Sequence, residues 1–276
     1  MSRSVLITGC SSGIGQCAAH YLQQQGFHVI ASARHEQDVA QLKQDGLPAV
    51  RLDLTDDASI ERGLEQALAL TDGELYGLFN NGAYGQPGAL EDLPTAALRE
   101  QFNTNLFGTH HLTRLVLPLM LNAGEGRIIQ NSSVLGLVAM QYRGAYNATK
   151  FALEGYTDTL RLELASTGVH VSLLEPGPIE TRFRANAKTA FLRHIDMAHS
   201  RHRQGYEQTL ARLEKPGPSS RYSLGPEACL PPLLHALTSA NPNIRYPVTR
   251  PTKMLGWLRR LLSDRALDRM MLKAGG

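Results

Sequence analysis

Short apolar runs alternate with longer amphipathic stretches over the first two thirds of the chain. Ser4-Val5-Leu6-Ile7-Thr8 is a β-rich run that stops at a glycine cluster, and Gly15 to Gln25 has helical character that Gly26 closes. Phe27 to Ser32 and Ala49 to Leu52 read as the next two buried strands. A helical stretch covers Asp57 to about Leu70, Leu75 to Phe79 is a fourth strand, and a long helical segment follows Pro94. Arg127 to Gln130 predicts a fifth strand and Tyr146 to Thr167 a helix. His170 to Leu174 is a sixth strand, ending in Glu175-Pro176-Gly177-Pro178. Apolar strands this short, separated by helices, pair in parallel through crossover connections. The expected fold class is α/β, a single doubly wound parallel sheet with helices on both faces. No repeat or linker divides the chain, so residues 1–276 are read as one domain.

Beyond Thr181 the pattern is less regular. The stretch 186–222 is polar, rich in Arg and His, and ends in the breakers Lys215-Pro216-Gly217-Pro218-Ser219-Ser220, which predicts a mobile segment. Gly225-Pro226-Glu227 opens another helix that Pro231-Pro232 must kink or interrupt. Arg245-Tyr246-Pro247-Val248 reads as a final strand, at an edge because of Pro247. Within 252–273, Met254, Leu255, Leu258, Leu261 and Leu262 recur at helical spacing, with Arg259 and Arg260 on another side. The phase breaks near Ser263, and Leu267, Met270 and Met271 form a second stripe among Arg265, Arg269 and Lys273. Two short basic amphipathic helices of this kind dock on the body or on a partner subunit, or associate weakly with an anionic membrane surface. Docking is the preferred alternative, because Trp257 is the only interfacial-type aromatic there.

Composition narrows the classes. Hydrophobic residues at 42% and charged residues at 19% describe an ordinary globular protein. Three cysteines, Cys10, Cys17 and Cys229, argue against a disulfide framework and for a reducing, cytoplasmic setting. The N-terminus runs straight into a strand, so no secretion signal is expected, and no apolar run approaches the ~20 residues that span a bilayer. The net charge of +3 conceals an asymmetry: residues 1–181 carry 11 Lys/Arg against 19 Asp/Glu, and residues 182–276 carry 17 against 6. That split fits an acidic ligand or surface, and equally a solvated basic face opposite an acidic body. No aromatic-rich basic stripe supports nucleic acid. His194, His199 and His202 lie in a polar segment without acidic or cysteine partners at metal-site spacing, so no metal is expected.

Three motifs carry chemistry. Thr8-Gly9-Cys10-Ser11-Ser12-Gly13-Ile14-Gly15 joins the first strand to a helix, which suits a pyrophosphate approached closely by backbone and faced by a helix N-terminus. Tyr146 and Lys150 stand four residues apart on one helix face, and Ser133 lies thirteen residues before Tyr146. A free phenol, with a pKa near about 10, is a poor acid–base catalyst at neutral pH; a nearby ammonium and an oxidised nicotinamide lower it. Tyr146 would then exchange a proton with a carbonyl or alcohol oxygen, and Ser133 would stabilise charge developing on that oxygen.

In this order and at these distances the motifs resemble the classical short-chain dehydrogenase/reductases, over roughly Ser4 to Thr181. The spacing Gly-x-x-x-Gly-x-Gly is that family's form of the dinucleotide turn. The resemblance implies a Rossmann-like sheet and a cofactor site made by Gly9, Ser11, Ser12, Gly13, Ile14 and Gly15. Asp53 and Leu54 would lie at the adenine and Asn81 at the adenosine ribose. Pro176, Gly177, Ile179 and Thr181 would hold the nicotinamide carboxamide, and Lys150 the nicotinamide ribose. Asn105, preferred over Asn103, would support a proton-relay water beside Lys150. NAD-binding members place an acid at the end of the second strand, where this chain has Ala33 followed by Arg34. A neutral residue beside a guanidinium suits a 2′-phosphate, so the cofactor expected is NADP. The family's Asn-Asn-Ala-Gly appears here as Asn80-Asn81-Gly82-Ala83, and a positive φ at Ala83 would be strained. In the family the region corresponding to 186–222 covers the substrate.

Within the family the chain looks like bacterial broad-range NADP-dependent aldehyde reductases and the hydroxysteroid and retinol dehydrogenase branch. The activity implied is reduction of an aldehyde or ketone by hydride transfer, with a hydroxysteroid or retinol dehydrogenase as the alternative. A non-catalytic NADP-binding sensor or scaffold is the competing class. The partners expected are a small-molecule carbonyl or alcohol and further copies of the chain in a homo-oligomer.

Overall fold

Residues of β1 (Ser4–Ile7) alternate between two cores, Val5 and Ile7 on one side and Leu6 on the other, and all are sealed from water. That is the signature of a strand covered by helices on both faces. The computed structural model that carries this arrangement describes residues 2–218 and 220–275. Six more strands join β1: β2 (His28–Ala33), β3 (Ala49–Arg51), β4 (Gly77–Asn80), β5 (Gly126–Asn131), β6 (Val169–Glu175) and β7 (Arg245–Pro247). All pair in parallel, in the order β3-β2-β1-β4-β5-β6-β7. The order reverses between β1 and β4, the place where such sheets open a crevice at their carboxyl ends.

The helices in chain order are α1 (Gly13–Gln24), α2 (Glu36–Gln44), α3 (Asp57–Ala69), α4 (Thr95–Phe102), α5 (Gly108–Ala123), α6 (Gly144–Glu163), α7 (Phe183–His194), α8 (Arg203–Glu214), α9 (Leu230–Thr238), α10 (Arg250–Leu261) and α11 (Asp264–Gly275). On one face, Ala18, Ala19 and Leu22 of α1 and Leu233 and Leu237 of α9 pack on Val29 and Phe79. On the other, Ile60 and Leu64 of α3, Leu112 and Val116 of α5 and Leu160 of α6 pack on Ile30 and Ile128.

Several expectations change. The helix α2 was not foreseen, because only Val39 and Leu42 of it are buried and its apolar periodicity is faint. The long segment after Pro94 is two α-helices joined by a π-helical turn, Asn103–Phe107. Pro231 and Pro232 fall in the first turn of α9, after a 3-10 turn, where missing amide protons cost no helical bond. The largest correction concerns 186–222, expected to be irregular: it holds most of α7 and all of α8. Their inner faces are made of small or polar residues (Ala187, Ala190, Thr209) around Phe191 and Tyr206, so the apolar period is weak, and tertiary contacts hold them. The Tyr206 hydroxyl donates to Asp92 and accepts from Ala89 N at 2.9 Å, and Lys188 pairs with Glu214 at 2.8 Å. Of the breaker cluster, Ser219 lies outside the described residues.

The charge asymmetry is in part internal complementarity. Arg201 pairs with Glu91 at 2.6 Å, Arg193 with Glu100 at 3.3 Å, and Arg245 with Asp158, Glu154 and Glu175 at 2.7, 3.2 and 3.2 Å. At the C-terminus the helices break at Leu262–Ser263, as the phase change implies. Leu267 and Met271 of α11 are buried against Val138, with Leu255 and Leu262 beside them. This face of α11 therefore docks on the body, whereas Met254, Trp257 and Leu261 of α10 remain exposed. Among the described residues no helix is long and apolar enough to cross a membrane. Leu267→Ala should cost about 2–3 kcal/mol and lower the thermal midpoint by several degrees. An unchanged midpoint in a calorimetric or dichroism melt would show that α11 is not seated.

Candidate active site

The carboxyl ends of β1, β4, β5 and β6 converge on one crevice. At its centre Gly9 and Gly13 take φ of 70° and 63°, in the left-handed region that excludes a side chain without strain. A Cβ on Gly15 would strike the Gly9 carbonyl and the Asn81 amide, so α1 can start this close to the sheet only on glycine. Ser12 stands at the N-cap of α1 in extended conformation, and its side chain makes no capping bond, which leaves the first-turn N–H groups for a ligand. Ser11 is exposed and Ile14 packs on the core beneath. A groove of about 600 Å³ borders this turn, lined by Ser12, Gly13, Glu180 and Thr181.

Asn81 locks the turn from the far side. Its amide nitrogen donates to the Thr8 and Gly9 carbonyls at 2.9 and 3.2 Å, and the Thr8 hydroxyl accepts from Asn81 N and Gly82 N at 2.9 Å each. The anticipated strain at Ala83 does not arise: the non-glycine residues with positive φ, among those described, are Asp72 and Tyr142. At 82 a Cβ would meet Leu54 Cδ1 at 2.9 Å and Gly9 N at 3.5 Å, and a Cβ on Gly9 would meet Gly82 Cα at 2.7 Å, so the two backbones are packed closely here. The exchanged order of Gly82 and Ala83 thus suits this backbone.

Along the crevice, Asp53 accepts from Thr55 N and Thr55 Oγ1 at 3.0 and 2.8 Å, and Leu54 is buried beside Gly82. Ala33 ends β2 in the core, and Arg34 beyond it is exposed, with its Nε donating to His35 at 3.0 Å. Arg51, at the end of β3, donates to the Arg34 carbonyl at 3.1 Å. The sequence reading missed Arg51 because it belongs to a different strand and comes near Arg34 only through the β2–β3 register.

Across the crevice, α6 presents Tyr146 and Lys150. Both are buried, and Lys150 Nζ lies 5.6 Å from the Tyr146 ring centre. Lys150 donates to the Asn131 carbonyl at 2.6 Å, and the Asn131 side chain donates to Asn81 Oδ1 at 2.9 Å. Asn131 was not anticipated; its one sequence signal is an amide at the end of a buried strand, just before Ser132 and Ser133. Burial pushes Tyr146 up to about 12, with the neighbouring Ser133 hydroxyl pulling the other way, and pushes Lys150 down to about 8 against the pull of Glu154. In the protein without nucleotide, burial is the larger influence on both groups, because desolvation penalises both charged forms.

Ser133 caps a 3-10 turn, Val134–Gly136, accepting from Leu135 N at 3.1 Å. Asn105 occupies the π turn and is buried, donating to the Tyr84 carbonyl at 2.9 Å and to Thr149 Oγ1 at 3.2 Å, beside Lys150. Asn103 is exposed, so of the two asparagines Asn105 is the one buried beside Lys150. The extra residue of a π turn shifts the helical phase, and such turns recur at functional sites.

The segment after β6 closes the crevice. The Pro176 carbonyl accepts from Val134 N at 2.8 Å, Gly177 lies against Thr249, and Ile179 bridges to Leu224. Thr181 sits over Gly13, where an added Cβ would meet it at 2.9 Å. Phe183, which the sequence reading did not single out, stacks edge-on against the Tyr146 ring at 5.3 Å. The three histidines do find acids in space: His202 with Glu91 at 2.5 Å, His199 with Asp196 at 2.7 Å and His194 with Glu100 at 3.7 Å. Among the described residues no group of three or more His, Cys, Asp or Glu gathers as a metal site would require.

Comparison with known proteins agrees with this geometry. The family model for short chain dehydrogenases matches residues 3–190. The chain is 44% identical over 271 residues to the uncharacterized oxidoreductase YbbO of Escherichia coli (strain K12), covering 98% of this chain and 94% of that protein. It is 37% identical over 191 residues to human retinol dehydrogenase 8, covering 66% of this chain and 60% of that one. In fold it matches a short chain dehydrogenase/reductase from Burkholderia phymatum, solved with NAD, at a TM-score of 0.80 and 24% identity, over 94% of this chain and 93% of that chain. A nucleotide-binding turn tied through two asparagines to a buried Tyr/Lys pair, on a sheet of this order, places the chain in the short-chain dehydrogenase/reductase family of oxidoreductases.

Proposed function

We propose that the protein reduces an aldehyde or ketone to an alcohol with NADPH. The observation that carries this reading is the buried Tyr146, held beside Lys150 and Ser133 and roofed by Phe183. Burial keeps Tyr146 protonated at neutral pH, so it holds the proton that goes to the carbonyl oxygen as hydride reaches the carbon, and the positive charges of Lys150 and of an oxidised nicotinamide would ease that transfer by favouring the phenolate. Ser133 supports the charge on that oxygen, Lys150 faces the nicotinamide ribose, and Asn105 orders the neighbouring polar path. The pair α7–α8 covers the substrate, with Phe183 supplying an apolar wall.

Tyr146→Phe keeps the ring and its packing on Phe183 but removes the donor. NADPH-coupled turnover across a panel of aldehydes, ketosteroids and retinal should fall at least about a hundredfold with nucleotide affinity retained. Wild-type rates in that variant would overturn the assignment.

The preference for NADPH over NADH rests on Arg34, whose guanidinium has no carboxylate partner among the described residues, with Arg51, which has Glu36 at 3.8 Å, alongside and no acid at position 33. These groups suit the charge and fork geometry of a 2′-phosphate. Ala33→Asp combined with Arg34→Ala should reverse the ratio of kcat/KM for the two cofactors; equal efficiency in the unaltered protein would refute the reading.

A pH profile tests Lys150. With its pKa lowered to about 8, Lys150 is charged below that value and neutral above it, while Tyr146 stays protonated. Reduction should therefore be full on the acid side and decline as pH rises through about 8. A rate constant that stays flat well above that pH would show that the charge on Lys150 is not used.

A further inference from the structure

Two arginines, Arg143 and Arg212, come close enough for their charges to interact, near the turn of α6 that leads to Tyr146. Arg143 is the N-cap of α6, one turn before Tyr146, and its backbone bridges to Gly88 in the loop after β4. Arg212 comes from the inner side of α8, next to the buried Leu213 and one turn beyond the buried Thr209. Tyr142, just before α6, takes a left-handed φ of 58° and packs against the first turn of α8. Its ring packs edge-on against Tyr206 and His202 at 5.4 and 5.5 Å, and its hydroxyl contacts Gly205. A positive φ on a bulky residue is uncommon and marks a position that the surrounding packing enforces.

The guanidiniums are left in an unusual state. Arg143 Nη1 is shut off from water and has no hydrogen-bond partner. Neither arginine makes an ion pair among the described residues, although each remains only partly exposed. Burial lowers both from the usual arginine range, Arg143 to about 10, and the charge of Arg212 adds to the effect on Arg143. The nearby acids are already engaged: Glu207 with Arg203, Glu214 with Lys188, Glu91 with Arg201 and His202, and Asp92 with Ser200 and Tyr206. Holding two like charges together in a desolvated place is unfavourable unless an anion joins them. A guanidinium fork is built for the two oxygens of a carboxylate or phosphate.

From this we infer that Arg143 and Arg212 form an oxyanion subsite for the substrate, so that the preferred carbonyl compound carries a carboxylate or phosphate at the end away from the reacting carbon. The inference rests on the carbonyl-reductase reading, and it narrows the substrate class within it. The apolar wall formed by Phe183 would face the stretch between the two ends.

The test compares charged and neutral substrates of equal length: 4-oxobutanoate, 6-oxohexanoate and 9-oxononanoate against their methyl esters, and glycolaldehyde phosphate against glycolaldehyde. The full-length protein should prefer at least one charged series by about tenfold or more in kcat/KM, and which series wins identifies the anion. Arg143→Met and Arg212→Met should each reduce that acid-to-ester ratio at least about tenfold, and Arg143→Lys should restore part of it. Turnover of the esters without any preference for the charged partners would overturn the subsite while leaving the carbonyl-reductase reading in place. If no carbonyl compound is reduced, binding decides separately: 6-hydroxyhexanoate, but not 1,6-hexanediol, should raise the thermal midpoint of the wild type and lose that effect in Arg143→Met. Equal shifts from the acid and the diol, or none from either, would overturn the subsite. A lowered midpoint of Arg143→Met with an unchanged acid-to-ester ratio would assign Arg143 a structural role and overturn it as well.

Discussion

A relay of hydrogen bonds from the glycine turn to the buried Lys150 is the constraint on which the site depends. Asn81 holds the carbonyls of Thr8 and Gly9, Asn131 holds Asn81, and Lys150 holds the carbonyl of Asn131. The relay crosses the ends of β1, β4 and β5, at the point where the sheet order reverses. Each link ties a polar group that has little access to water, so losing one partner leaves another uncompensated. The turn that suits a dinucleotide and the helix that carries Tyr146 are thereby held in one register, and hydride chemistry requires that register between cofactor and acid.

Beneath the relay lies a second polar layer. Ser132 donates to Glu154 at 2.5 Å, Glu154 and Glu175 share Arg245, and Glu175 is raised to about 7 by burial and by the charge of Glu154. Ser132 and Glu175 immediately precede Ser133 and Pro176, so β7, which supplies Arg245, braces both of the loops that follow β5 and β6. Arg245 offsets these carboxylates, with Arg161 also on Asp158 at 2.5 Å, whereas Arg143 and Arg212 make no ion pair among the described residues.

The same complementarity accounts for part of the uneven charge of the chain: pairs such as Arg201–Glu91 and Arg193–Glu100 fasten α7–α8 to the loop after β4 and to α4. These exposed pairs each contribute little on their own. Tyr206, buried and bonded to Asp92 and Ala89, contributes the larger share of the anchoring.

The order of strands through β6, the helices between them apart from α2 and the split after Pro94, the glycine turn and the spacing of Ser133, Tyr146 and Lys150 were legible in the sequence, because each depends on local periodicity or fixed spacing. Edge strand β7 and the break at Ser263 were legible for the same reason: Pro247 cannot serve a central strand, and the apolar phase shifts between α10 and α11. What the sequence could not disclose depends on residues far apart in the chain. Helices α7 and α8 have weak apolar faces and exist through tertiary contacts, so their residues read as irregular. Arg51 approaches Arg34 through strand register, Asn131 links Asn81 to Lys150 across a sheet, and the choice of Asn105 over Asn103 is made by a π turn. The sign of the Tyr146 shift was likewise decided by the tertiary structure, since spacing brings the lysine near but only packing sets how much water is removed. Arg143 and Arg212, separated by 68 intervening residues, have no common signal in the sequence, and their meeting is a property of the fold alone.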